Sequence, residues 1–186
     1  MKEPKIIFLR HAETEKDSQT HPSLWILSEA GQKQAEDFSR LDICKEIDSI
    51  YISNEKKALL TAEPVCRKTG KNPIAMSFFN EVQRGDKFFS KEEFEEEKKK
   101  QLLDLDYQAF GGESGHEALL RFTEGIEKIM ANSPDKTVLI VTHGTILNIY
   151  FADLLGQSDI LYERWQQTPF CAFGVLEGGK IIQDII

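Results

Sequence analysis

Short apolar runs alternate along this chain with helical patterns of ten or more residues. Ile6–Leu9 (IIFL) is apolar without a break, the mark of a strand covered on both faces, and Thr137–Thr142 (TVLIVT) is a second strand of this kind. Ile47–Ser53 (IDSIYIS) and Pro73–Ser77 read as further strands. Between them, Ser28 opens SEAGQKQAEDFSRL, with Ala35, Phe38 and Leu41 on one side. A second helix is predicted from Glu55 to about Thr69, with Gly70 as its C-cap, and a third from Ser114, with Leu119, Phe122, Ile126 and Ile129 at helical spacing. An apolar helix follows His143–Gly144 and ends near Gly156. The tail FCAFGVLEGGKIIQDII reads as two strands joined at Gly178–Gly179. This order implies an α/β fold: a mostly parallel sheet flanked by helices on both faces, with an antiparallel hairpin at one edge near the C-terminus.

A length of 186 residues suits one domain over 1–186. Within it, residues 85–110 stand apart as a charged stretch mixed with Phe. It reads either as a solvated helix face or as a cap over a pocket, with Phe88, Phe89, Phe94 or Tyr107 touching a ligand. The net charge of −8 argues against nucleic acid or an anionic membrane as partner, since both are held by clustered Lys and Arg. It leaves a small anionic ligand open. Cys44, Cys66 and Cys171 are scattered and odd in number, as free thiols in a reducing compartment would be. The first apolar run is too short for a signal-peptide core, no stretch is long enough to span a membrane, and a cytoplasmic location is expected. The oligomeric state is not legible.

Ligands of such sheets bind outside the carboxyl ends of the strands. The first strand ends there in Arg10 and His11, and the strand at 137–142 ends in His143. Lys57 follows the strand that ends at Ser53, and Glu81 follows the third. A neutral imidazole is a nucleophile toward phosphorus, and Arg10 offers a planar fork of donors for phosphate. Further cations would stabilise the developing charge, and a carboxylic acid would protonate the leaving oxygen. The helix after Gly144 would aim its first N–H groups at an anion. The set suits phosphoryl transfer through a phosphohistidine. A metal site built from His11, Asp17, His21 and His143 has no HExxH or HxH spacing and places Arg10 beside the cation, so no metal and no cofactor are expected. His21 and His116 read as surface residues, with the alternative that His116, close after GGES, reaches the rim.

These residues sit in motifs that resemble those of the histidine phosphatase superfamily, also called phosphoglycerate-mutase-like. RHAET (Arg10–Thr14) is similar to its RHGET, Leu27–Ala35 to its LTxxGxxQA, and Ser53–Ala62 (SNEKKALLTA) to its SxLxRAxxTA. NEVQRG, GGES (Gly111–Ser114) and VLIVTHG (Val138–Gly144) follow in the family's order. The resemblance implies that His11 becomes phosphorylated, that Arg10 and His143 hold the phosphoryl group with help from the Gly144 N–H, and that Glu81 is first acid and then base. It also implies a metal-independent phosphomonoesterase acting on a small phosphorylated metabolite. The alternatives are a mutase and a weakly active or non-catalytic phosphate-binding module. Lys57 stands where the family has a second arginine, so at least one charge-assisted hydrogen bond, about 1.5–3 kcal/mol, is lost. Ala12 adds a methyl where the family has glycine, and Asp17 puts a carboxylate where it has asparagine.

Overall fold

A computed structural model describes residues 3–17, 19–85 and 90–186. One six-stranded sheet runs through it in the order β3-β2-β4-β1-β5-β6. Strands β1 (Lys5–Arg10), β2 (Ser49–Ile52), β3 (Pro73–Ala75) and β4 (Thr137–Thr142) are parallel to one another. The hairpin β5 (Phe173–Glu177) and β6 (Lys180–Gln183), turned at Gly178–Gly179, adds to β1 in antiparallel fashion. This is the expected α/β sheet with its antiparallel edge. The strands predicted at 47–53 and 73–77 are each shorter than expected. Ile47 caps a short 3-10 helix at Asp42–Glu46, and Ser77–Phe79 forms another.

Residues on the two central strands alternate between two cores, as successive side chains of a strand must. Ile6, Phe8, Val138 and Ile140 join Phe122, Ile126 and Ile129 of α4 (Gly115–Asn132) and Phe151 of α5 (Gly144–Leu155). Ile7, Leu9, Leu139 and Val141 join Phe38 of α1 (Glu29–Ser39) with Ala58, Ala62 and Val65 of α2 (Lys56–Thr69). Both faces of β1 and β4 are therefore dry, which is why neither strand shows polar alternation. Helix ends are set locally. Ser28 accepts a hydrogen bond from the Gly31 N–H, and Ser114 with Glu117 forms a capping box at the start of α4.

Ser90 caps α3 (Lys91–Leu103) through a second such box with Glu93. The stretch EEFEEEKKK is more than a solvated face, because Lys98, Gln101 and Leu102 are buried and α3 packs against α6 (Leu161–Gln167). Helix α6 went unrecognised in the sequence. Of the residues proposed to touch a ligand here, Phe88 and Phe89 lie outside the described residues, while the Tyr107 hydroxyl donates to Glu97 at an exposed site.

Phe122 packs edge-on against Phe79 and Tyr150 and lies 6.0 Å from Phe8, fully enclosed. Truncation there leaves a cavity that the surrounding rings cannot refill. Phe122→Ala is expected to lower unfolding free energy by about 3–5 kcal/mol. Leu120→Ala, one turn-face away and 72% exposed, should change it by about 0.5 kcal/mol or less. Urea denaturation of the two variants checks both values.

Candidate active site

Parallel pairing of β1 with β4 puts Arg10 opposite Thr142, so the next residue on each strand is a histidine. The His11 N–H donates to the Thr142 carbonyl at 2.8 Å, carrying the ladder one step past the strand ends. The two imidazoles come together with ring centres 5.3 Å apart. His11 Nδ1 lies 2.8 Å from the Ala12 carbonyl. A carbonyl only accepts, so Nδ1 carries the proton and Nε2 keeps a free lone pair. Burial pushes the His11 pKa well below its usual value, and the neighbouring His143 and Lys57 push the same way. His143, also buried, is brought down to about 4 by desolvation, against the pull of Glu55. Both rings are neutral at pH 7.

Arg10 donates through Nη1 to the Thr168 carbonyl, and its guanidinium lies over the Phe170 ring at 4.3 Å. Its buried Nε has no hydrogen-bond partner among the described residues. A Cβ on Gly144 would stand 2.8 Å from that Nε, so the close approach of Arg10 to the α5 terminus requires glycine.

Glu81 is held in a different way from the sequence expectation. Its carboxylate accepts the N–H groups of Val82 at 2.9 Å and of Thr145 and Ile146 at 3.0 Å each. The Thr145 and Ile146 amides in the first turn of α5 therefore serve Glu81. Burial alone would raise its pKa. The charges of His143 and Lys98 and these amides outweigh that and hold it well below the usual carboxylate range. The segment that carries it is clamped from α4. Arg121 donates to the carbonyls of Phe78 and Asn80 and is paired with Glu113 at 2.7 Å. This explains GGES: Glu113 fixes Arg121, Ser114 caps α4, and a Cβ on Gly112 would lie 2.1 Å from the Gln83 carbonyl.

Lys57 reaches the same cluster, but its ammonium is taken. It contacts Glu55 Oε2 at 2.6 Å and donates to the Pro22 carbonyl at 3.1 Å. Glu55 Oε1 lies 3.5 Å from His143 Nε2, which also touches Ser53 Oγ at 2.7 Å. A cavity of about 350 Å³ opens beside the cluster, lined by Glu55, Lys57, Glu81, Asn54, Asn80 and Arg84 among others. Arg84 lies over the ring of Phe94 at 4.4 Å. Behind Glu81, the buried Lys98 donates to Gln101 at 2.8 Å and to Thr145 Oγ1 at 3.2 Å, and burial brings it down to about 7.

Arg10, His11, Lys57, Glu81, His143 and Gly144 thus converge at one end of the sheet. His116 is exposed and pairs with Asp106, and the exposed His21 hydrogen-bonds Ser23 at the cavity rim. The Ala12 methyl packs with Leu27 and Ala35, and Asp17 accepts the Gln19 N–H in a local turn at the surface. Four residues of the site escaped the sequence reading: Glu55, Arg84, Lys98 and Arg121. Only Glu55 carried a signal, since it stands at the leucine position of SxLxRAxxTA.

The family model of the histidine phosphatase superfamily (branch 1) matches residues 6–180. No curated protein matches the sequence. Among solved structures, mycobacterial glucosyl-3-phosphoglycerate phosphatase is similar with a TM-score of 0.77 at 18% identity, covering 98% of this chain and 99% of its own. A phosphoserine phosphatase mutant from Entamoeba histolytica, in complex with phosphoserine, gives 0.77 at 21%, covering 97% and 94%. YhfR of Bacillus stearothermophilus gives 0.77 at 24%, covering 97% and 95%.

The buried neutral histidines have a consequence for stability. Unfolded, each takes up a proton below about pH 6.5; folded, His143 stays neutral down to about 4. Between these values the unfolded chain binds more protons, so stability falls as pH is lowered. An NMR titration should show His143 titrating near 4, and urea unfolding should show a smaller stability loss from pH 7 to pH 5 in His143→Gln than in the parent.

Proposed function

The chain belongs to the histidine phosphatase superfamily (branch 1), and we propose that it hydrolyses small phosphomonoesters through a phosphohistidine on His11. The observation that carries this reading is the His11 imidazole itself. Its proton is committed to the Ala12 carbonyl, its free Nε2 lies beside His143, and the Arg10 guanidinium is in the same cluster. In the first step Nε2 forms a bond to phosphorus while the bond from phosphorus to the leaving oxygen breaks. Arg10 and His143 take the charge on the equatorial oxygens, and Phe170 packs on both Arg10 and His11.

Glu81 is the proton carrier in this reading. It starts ionised, receives the proton of an incoming phosphate monoanion, passes it to the leaving oxygen, and then takes one from the water that attacks the phosphohistidine. A phosphomonoester has its second ionisation near pH 6, so monoanion is present under neutral conditions. The similar phosphatases support small phosphorylated metabolites as the substrate class. Among the described residues no helix is long and apolar enough to cross a membrane, and the three free thiols suit the reducing compartment of a cytoplasmic location. The commitment of Lys57 to Glu55 favours a second reading, a phosphate-binding module with slow turnover.

His11→Ala is expected to lower turnover of p-nitrophenyl phosphate by about a thousandfold or more. Incubation of the parent with a phosphorylated substrate should label His11 with an acid-labile, base-stable phosphoryl group. Full activity in the alanine variant, or a label on another residue, would refute the mechanism.

A further inference from the structure

We propose that Glu55 sets which ionisation state of the phosphoryl group the site accepts: the group binds together with one proton, shared between the Glu55 carboxylate and a phosphoryl oxygen. The inference rests on the phosphatase reading and adds to it a residue that the family pattern does not contain, since Glu55 stands in SNEKKALLTA where SxLxRAxxTA has leucine.

Polar groups at the strand ends are already serving an anion. Glu55 Oε2 lies 2.6 Å from Lys57 Nζ, and Oε1 lies 3.5 Å from His143 Nε2. These are two of the groups that a phosphoryl oxygen would need. The Glu55 side chain is only 15% exposed, so its charge is little screened by water. A phosphate dianion placed on Arg10, His11 and His143 would meet this carboxylate at close range. Two anions held by the same donors disfavour each other's ionised form, and a proton between them turns the repulsion into a short hydrogen bond. Lys57 is too committed to offset the clash alone, with its ammonium also bound to the Pro22 carbonyl.

The groups facing Glu55 come from every element around it. Lys57 belongs to α2 and His143 to the end of β4, while Glu81 and Arg84 lie on the segment after β3. Arg10 and His11 close the cluster from β1, and Lys98 stands behind Glu81 from α3. Replacing Glu55 removes its upward pull on His143, which carries that imidazole from about 4 further away from the pH range of the test.

The test is calorimetric binding of inorganic phosphate to the full chain and to Glu55→Gln and Glu55→Leu, from pH 7.5 to 8.5, where free phosphate is mostly dianion. Uptake of one proton makes the parent's Kd rise about tenfold per pH unit. Both variants lack the Glu55 carboxylate, and inorganic phosphate has no leaving group for Glu81 to protonate, so their Kd should be close to flat over this range and about tenfold or more tighter than the parent's at pH 8.5. Glu55→Leu, which restores the family's residue, guards against a special effect of the amide. Equal slopes and equal affinities in all three proteins would overturn the proposal, and so would a parent whose Kd stays flat. Turnover of p-nitrophenyl phosphate by the same parent sample separates the two levels. Turnover with equal slopes refutes Glu55 alone, whereas neither turnover nor phosphate binding refutes the phosphatase reading with it.

Discussion

The register of one strand pair governs the candidate site. Because β1 and β4 are parallel and Arg10 faces Thr142, both strands end at the same height and hand on to histidines in the same step. The bond from His11 N–H to the Thr142 carbonyl locks that relation with backbone alone. A slip of one residue would turn every side chain of β1 to the opposite face. Phe8 would then leave its aromatic cluster, and His11 would lose His143. The two dry cores on either side make such a slip very costly, so the packing of Ile6–Leu9 and Val138–Val141 protects the chemistry from a distance.

Around this pair the site settles its charges by burial and by helix geometry. Two histidines are kept neutral by desolvation, which leaves a nucleophilic lone pair on His11 at neutral pH. One carboxylate, Glu81, is kept ionised by the amides at the start of α5 and by Lys98 behind it. Its position comes from a third element, since Arg121 on α4 grips the carbonyls of the segment that carries it. The landmark GGES is accordingly a support for Glu81, acting through Glu113 and Arg121.

Much of this was legible because the relevant signals are local. Continuous apolar runs reveal strands buried on both faces, and a histidine directly after such a run must lie at a strand end. Serine caps and glycine stops mark α1, α2, α4 and α5 where the structure places them. What escaped depends on the third dimension. Helix α6 spans seven residues and buries only Leu161 and Arg164, too little to make a period. Lys98 lies in a run of charges with no apolar repeat, and only the docking of α3 shows that one of those lysines is buried against Thr145. Ala12 and Asp17 stand out in the sequence as departures from a motif. Their side chains point to a small core and to a surface turn, because position in a motif does not set direction in space.

Glu55 and Lys57 are best understood as one substitution made in two places. A lysine alone, where the pattern has arginine, would keep the positive charge but lose the planar fork, and its single ammonium could roam among several acceptors. A leucine alone turned into glutamate would leave a largely enclosed carboxylate facing the neutral His143 imidazole, at a substantial desolvation cost. Together they satisfy each other at 2.6 Å, and the Pro22 carbonyl takes another of the ammonium's protons. The pair therefore conserves the fold of the α2 start while changing the charge that the strand ends present. A motif comparison registers the loss of arginine as a weakened grip on phosphate. The geometry adds that the grip has acquired an internal occupant, and an occupant that can take up a proton ties ligand binding to pH in a way that the Lys57 change alone would not.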